Sequence, residues 1–129
     1  MSDGSPFSGT GPRLSGEQLA AIANELMRIK AEFYGKGPEQ AKAYQNDDVL
    51  VCVMRGGLMT LERTLLAGGE HDLVRGVRVK FQDQMRSTFE RAVERIAGRH
   101  VLCYESQITF DPEYIFELCV LGEPNGQGE

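Results

Sequence analysis

Apolar side chains at Leu19, Ile22, Leu26, Ile29 and Phe33 recur in alternating steps of three and four, which draws one stripe along an amphipathic helix. Ser15 followed by Gln18 has the form of a capping box at its start, and Gly35 supplies its stop. A stripe of this period also suits a coiled-coil seam. Two heptads are short for that, so burial against a sheet is the preferred reading, with burial against a second subunit as the alternative. The period then changes to two: Gln40 to Gln45 and Val49 to Met54 form a hairpin around the polar Asn46-Asp47-Asp48 connection. In the second strand Val49, Val51 and Val53 face one way and Leu50, Cys52 and Met54 the other, which predicts a central strand with both faces covered.

Arg55-Gly56-Gly57 interrupts that strand, and Thr60 is placed to cap a short helix from Leu61 to Ala67 that Gly68 and Gly69 close. From Glu70 to Ala97 runs the longest periodic segment. Its stripe comprises Leu73, Val77, Phe81, Met85, Phe89, Ala92 and Ile96, widened by Val74 and Val93. Gly98 ends it, and His100 to Phe110 and Tyr114 to Leu121 read as two strands joined by Asp111-Pro112-Glu113. The order α-β-β-α-α-β-β predicts an α+β two-layer sandwich: a four-stranded, mainly antiparallel sheet with helices on one face. The other face would carry Glu105, Gln107, Thr109, Cys103 and terminal aromatic residues, and such leftover apolar surface predicts a homodimer.

Composition narrows the picture in three ways. The 129 residues, 41% hydrophobic and 26% charged, suit one globular domain over residues 14–121, while Gly/Ser/Pro-rich residues 1–13 and 122–129 read as flexible tails. The longest apolar run, Val49 to Met54, is six residues, against about twenty for a membrane-crossing helix, so no membrane insertion is expected. With no export or organelle address visible, the expected location is cytoplasmic. The three cysteines, Cys52, Cys103 and Cys119, lie in apolar strand-like runs without a CxxC pair and read as small core residues.

Charge and candidate chemistry give weak functional signals. Residues 71–99 hold seven basic against four acidic side chains, net +3 on a chain whose total is −5. Such a face can attract nucleic acid, anionic lipid or an acidic partner, but pairing of Arg91 and Arg95 with Glu90 and Glu94 makes a solvated surface the better reading. Arg55, Gly56, Gly57 and Thr60 form the best anion or ligand candidate, combining a guanidinium and a mobile backbone with a helix start. Gly35-Lys36-Gly37-Pro38 lacks the spacing of a phosphate loop and reads as a helix stop. Asp47-Asp48 reads as a solvated hairpin turn. His71 and His100 form no metal-binding spacing, and Ser15, Ser87 and Ser106 lack a nucleophile-elbow context. No catalytic residue, cofactor or metal is therefore expected.

The segments GKGPEQAKAY, NDD, GGLMTLERTLL, the long helix from Arg75 to Gly98 and FDPEYIFELCVL, in that order, resemble the bacterial MpsC-type domain family. The resemblance spans roughly Leu19 to Leu121. The family takes its name from a sodium-translocating, membrane-potential-generating system, and it supplies no catalytic residue to carry over. It implies a non-enzymatic cytoplasmic accessory or regulatory protein. Such a protein would assist a membrane cation-translocating or inorganic-carbon system through protein contacts, because a chain without a membrane-length segment cannot form the ion path itself. The alternative is a nucleotide- or nucleic-acid-binding regulator using Arg55, Gly56 and Gly57 with the basic helix, though nucleic acid is the weaker partner reading. A small enzyme ranks last.

Overall fold

A computed structural model describes residues 13–126. Most of the expected N-terminal tail and the last residues of the C-terminal one lie outside that range. The elements follow the expected order: α1 (Gly16–Tyr34), β1 (Gln40–Asn46), β2 (Val49–Arg55), α2 (Thr60–Ala67), α3 (His71–Ala97), β3 (Arg99–Phe110) and β4 (Glu113–Pro124). All strand pairs are antiparallel, in the spatial order β1-β2-β4-β3, which makes β2 and β4 the two interior strands. On one face α1 lies over β1 and α3 over β3, and the two helices pack against each other. The protein is thus an α+β two-layer sandwich with one sheet face left open.

Local chemistry explains the boundaries. Ser15 Oγ accepts from the Gln18 amide at 3.1 Å while Gln18 Oε1 accepts from the Ser15 amide at 2.8 Å, so two helix-start donors are satisfied reciprocally. Gln18 Nε2 also donates to the Ile96 carbonyl at 3.1 Å, pinning the start of α1 to the end of α3. Gly57, at φ 94°, lies so close to the Pro38 backbone that an added Cβ would meet it at 3.1 Å, which explains a glycine where β2 leads toward α2.

Several elements depart from the sequence expectation. Met59, not Thr60, is the N-cap of α2: its amide donates to Glu62 Oε1 at 2.9 Å, and Thr60 is already helical. β4 runs on to Pro124, and the Asn125 amide donates to the Gly98 carbonyl at 3.0 Å, so the expected tail starting at residue 122 begins as sheet. Asp48 is buried, with Arg99 Nη2 at 2.6 Å from its Oδ1, whereas Asp47 alone faces water. Arg95 pairs with Glu25 of α1 at 3.2 Å, and Glu94 accepts the Val101 amide. Those cross-element partners replace the pairing within α3 that spacing suggested.

The core joins Ile22, Leu26 and Ile29 of α1 and Met85, Phe89 and Val93 of α3 to Leu50, Cys52 and Met54 of β2 and Ile115, Cys119 and Leu121 of β4. Cys52 and Cys119 are core residues, but Cys103 is exposed on the open face, where strand alternation puts it with Glu105, Gln107 and Thr109. In the first half of α3 the buried stripe is shifted. Leu73 and Val77 are 49% and 39% exposed, and Val74, Arg78 and Gln82 point inward instead.

Candidate functional site

The polar residues in this core converge where the C-terminal half of α1 and the middle of α3 cover β3 and β4. Strand alternation aims Ile115, Glu117, Cys119 and Leu121 inward, so Glu117 enters the core from an interior strand, level with Cys52 on one side and Ser106 on the other. Its side chain is 1% exposed. Lys30 of α1 reaches it with Nζ 3.5 Å from Glu117 Oε1, and Tyr104 donates its phenol to the same oxygen at 2.6 Å. Ser106 donates to Glu117 Oε2. The carboxylate thus has two hydroxyl donors and a cation, the partners a buried charge requires.

Lys30 is 2% exposed and lies between two aromatic rings, its Nζ 5.6 Å from the centroid of Tyr34 and 5.4 Å from that of Phe89. Burial pulls its ammonium below the ordinary lysine range, and the Glu117 charge only partly opposes this. Burial likewise pushes Tyr104 well above the usual phenol range, with the Glu117 charge acting in the same direction, and raises Tyr34 to about 12. Both phenols are therefore donors at neutral pH.

A second buried pair adjoins the first. Arg78 Nε lies 2.6 Å from Glu62 Oε2 and Nη2 lies 2.7 Å from Oε1, a two-pronged bond, while Nη2 also donates to the Gly57 carbonyl at 3.2 Å. The guanidinium covers the Tyr34 ring at 4.3 Å. Burial raises the Glu62 carboxyl, but Arg78 and the Met59 amide outweigh it and leave the carboxyl below its ordinary value. Between α3 and β3 a cavity of about 190 Å³ opens onto these groups; Lys30, Arg78, Gln82 and Ser106 line it together with apolar Tyr34, Ile108 and Ile115. Gln82 is 8% exposed; its side chain acts weakly on the Tyr104 phenol, but its Nε2 makes no fully formed hydrogen bond among the described residues.

The residues singled out from sequence lie elsewhere. Arg55 is exposed, covers the Tyr114 ring at 5.4 Å, and with Gly56 borders a shallow depression shared with Glu39, Arg63 and Glu113. Gly57 and Thr60 belong instead to the start of α2, where the Glu62 carboxylate already takes the Met59 amide. The structure divides the four positions: the Gly57 carbonyl faces Arg78, and Arg55 and Gly56 border the outer depression. His71 stacks edge-on against Phe110 at 5.5 Å.

Lys30, Gln82, Arg78, Tyr104, Ser106 and Glu117 did not register as a group in sequence. Signals for them existed. Lys30 is two four-residue steps beyond Ile22 through Leu26, Val74-Arg78-Gln82 has the same step, and Glu117 has the inward parity of Ile115 and Cys119.

Residues 15–123 match the family model described as Na+-translocating membrane potential-generating system (MpsC). The chain belongs to the MpsC family. No curated protein and no solved structure matches it. Among the described residues of this MpsC-family protein, no helix is long and apolar enough to cross a membrane.

Proposed function

We propose that this MpsC-family protein is a non-enzymatic cytoplasmic accessory or regulatory subunit that works as a homodimer, through protein contacts, on a membrane system that translocates cations. Family membership supports the link to such a system, and among the described residues no helix is long and apolar enough to cross a membrane. The observation that carries the contact role is the open sheet face. Val49, Val51 and Val53 of β2 lie beside Phe116, Leu118 and Val120 of β4, all partly exposed, with Tyr44 of β1 half exposed at the rim. An apolar patch of this kind on a central pair of strands marks an interaction surface.

A second copy is the occupant that suits it. Lys42 and Tyr44 lie on the β1 side and Glu105 and Gln107 on the β3 side, and the register places Lys42 in the row of Gln107 and Tyr44 in the row of Glu105. A two-fold axis parallel to the strands lays β1 of one protomer over β3 of the other, setting Lys42 opposite the partner's Gln107 and Tyr44 opposite the partner's Glu105 on both sides of a shared apolar centre. Two sheets stacked in this way form an aligned sandwich.

Sedimentation equilibrium tests the dimer, and affinity capture from solubilised native membranes tests the role. A dimer that Leu118→Lys converts to folded monomer is expected, together with recovery of an integral cation-translocating subunit. A monomeric mass at high concentration overturns the dimer. Capture that recovers no such subunit across several growth conditions overturns the accessory role.

A further inference from the structure

We propose that the cavity between α3 and β3 is a binding site for a small organic oxyanion, a carboxylate or phosphate on a short apolar body, with Gln82 and Lys30 as its hydrogen-bond donors. This goes beyond the accessory role and does not depend on the dimer.

The polar inventory of the cavity decides the sign of the ligand. Both Glu117 oxygens are occupied, by Tyr104 and Lys30 on one and by Ser106 on the other, and those hydroxyl protons are spent on it. Glu62 is likewise engaged by Arg78 and the Met59 amide. The unused capacity is on the donor side. Gln82 Nε2 is buried with no fully formed hydrogen bond, the Tyr104 phenol being a weak neighbour, and the Lys30 ammonium, between the Tyr34 and Phe89 rings, has three protons but one oxygen contact, Glu117 at 3.5 Å. Arg75 and Arg86 line the same cavity, offset by Asp83 and Glu105. The buried part of the cavity, where Gln82 and Lys30 lie, therefore lacks an acceptor, since Asp83 and Glu105 are at its exposed rim, and an oxyanion supplies one.

Size and walls limit the body of the ligand. A volume of about 190 Å³ exceeds the roughly 150 Å³ that holds benzene in an apolar cavity, so a single-ring or short-chain acid fits. Tyr34, Val79, Ile108 and Ile115 give the body an apolar lining.

NMR titration of the full chain with benzoate, inorganic phosphate and benzamide reads the proposal. Saturable millimolar binding of benzoate is expected, with shifts in the Gln82 side-chain amide and along residues 104–108, and weakened at least about tenfold in Gln82→Met. The same variant is expected to melt no lower than the parent, which separates loss of binding from loss of fold. Phosphate binding with the same Gln82 dependence also supports the oxyanion site and assigns the phosphate source. Benzamide binding as well as benzoate, binding indifferent to Gln82→Met and Gln82→Glu, or a cavity holding solvent only overturns it.

Discussion

Lys30 Nζ stands 3.5 Å from Glu117 Oε1 with both side chains closed off from water, their exposures 3% and 1%. The contact joins the last turns of α1 to an interior strand, so it is also a tether between the two layers. In such surroundings desolvation opposes the attraction, and the pair is held because Tyr104 and Ser106 satisfy the rest of the carboxylate. Removing one partner strands the other. Lys30→Met and Glu117→Gln are each expected to cost about 3 kcal/mol in urea unfolding, and the double variant to cost less than their sum by about 1 kcal/mol or more. Strict additivity would remove the coupling and leave two independent packing defects.

Arg78 and Glu62 make a parallel case with a local readout. Arg78 joins α3 to the start of α2 through Glu62 and the Gly57 carbonyl, while Arg63 on the outer side of α2 meets Glu113 at 3.3 Å with its own side chain 53% exposed. Burial distinguishes them. Glu62→Gln is expected to cost about 2 to 3 kcal/mol and to accelerate amide hydrogen exchange throughout α2, because the Arg78 charge loses its counter-ion. Arg63→Ala should cost less than about 1 kcal/mol. Equal costs for the two would contradict the ranking by burial.

The fold was legible in the chain where pattern and punctuation agree, and the site was not, for a physical reason. The Ser15–Gln18 box, the glycine stops and the Val49–Met54 run identify their elements because each is a local rule that needs no partner. Buried polar residues break the rule that polar means outside. Arg78 and Gln82 occupy inward positions of α3 that look like solvent positions until Glu62 and the cavity are known, so the apolar pattern alone points to Leu73 and Val77 instead. Asp48 shows the same thing in the hairpin: its partner, Arg99, is 51 residues away, and no local pattern announces it. Arg55, Gly56, Gly57 and Thr60 stand out in one dimension because glycines and a helix start are conspicuous there; in three, the Glu62 carboxylate takes the Met59 amide at that helix start.

Thiol chemistry offers a direct test of the sheet orientation. Cys103 is exposed on the open face, whereas Cys52 and Cys119 are buried beneath the helices. Burial pushes Cys52 up to about 12 and Cys119 further still, with the Glu117 charge reinforcing both, so neither forms thiolate at neutral pH. A maleimide reagent is expected to label Cys103 alone in the native protein and all three thiols in denaturant. Because Cys103 lies beside Val120 in the register, its labelling should slow as protein concentration rises and dimers form. Rates independent of concentration would count against pairing through this face, and rapid labelling of Cys119 against the fold itself.

Acid titration tests how α1 and α3 are joined at their solvent side. Glu25 pairs with Arg28 at 2.8 Å and with Arg95 at 3.2 Å, and the hydrogen bond from Arg28, helped by Arg95, holds its carboxyl at about 2 against an ordinary 4.5. Since the folded protein favours the ionised form, the stabilisation is fully present above pH 4.5 and disappears as pH falls toward 2. Both guanidiniums are more than half exposed, so screening keeps the contribution at the small scale of surface pairs. Glu25→Gln should therefore lower the thermal midpoint slightly at neutral pH and low salt. The gap to the parent should narrow with added salt and close as pH falls through about 2, where the parent carboxylate itself takes up its proton. A gap that persists unchanged at pH 2 would assign the effect of Glu25 to packing of its methylenes between the helices, not to its charge.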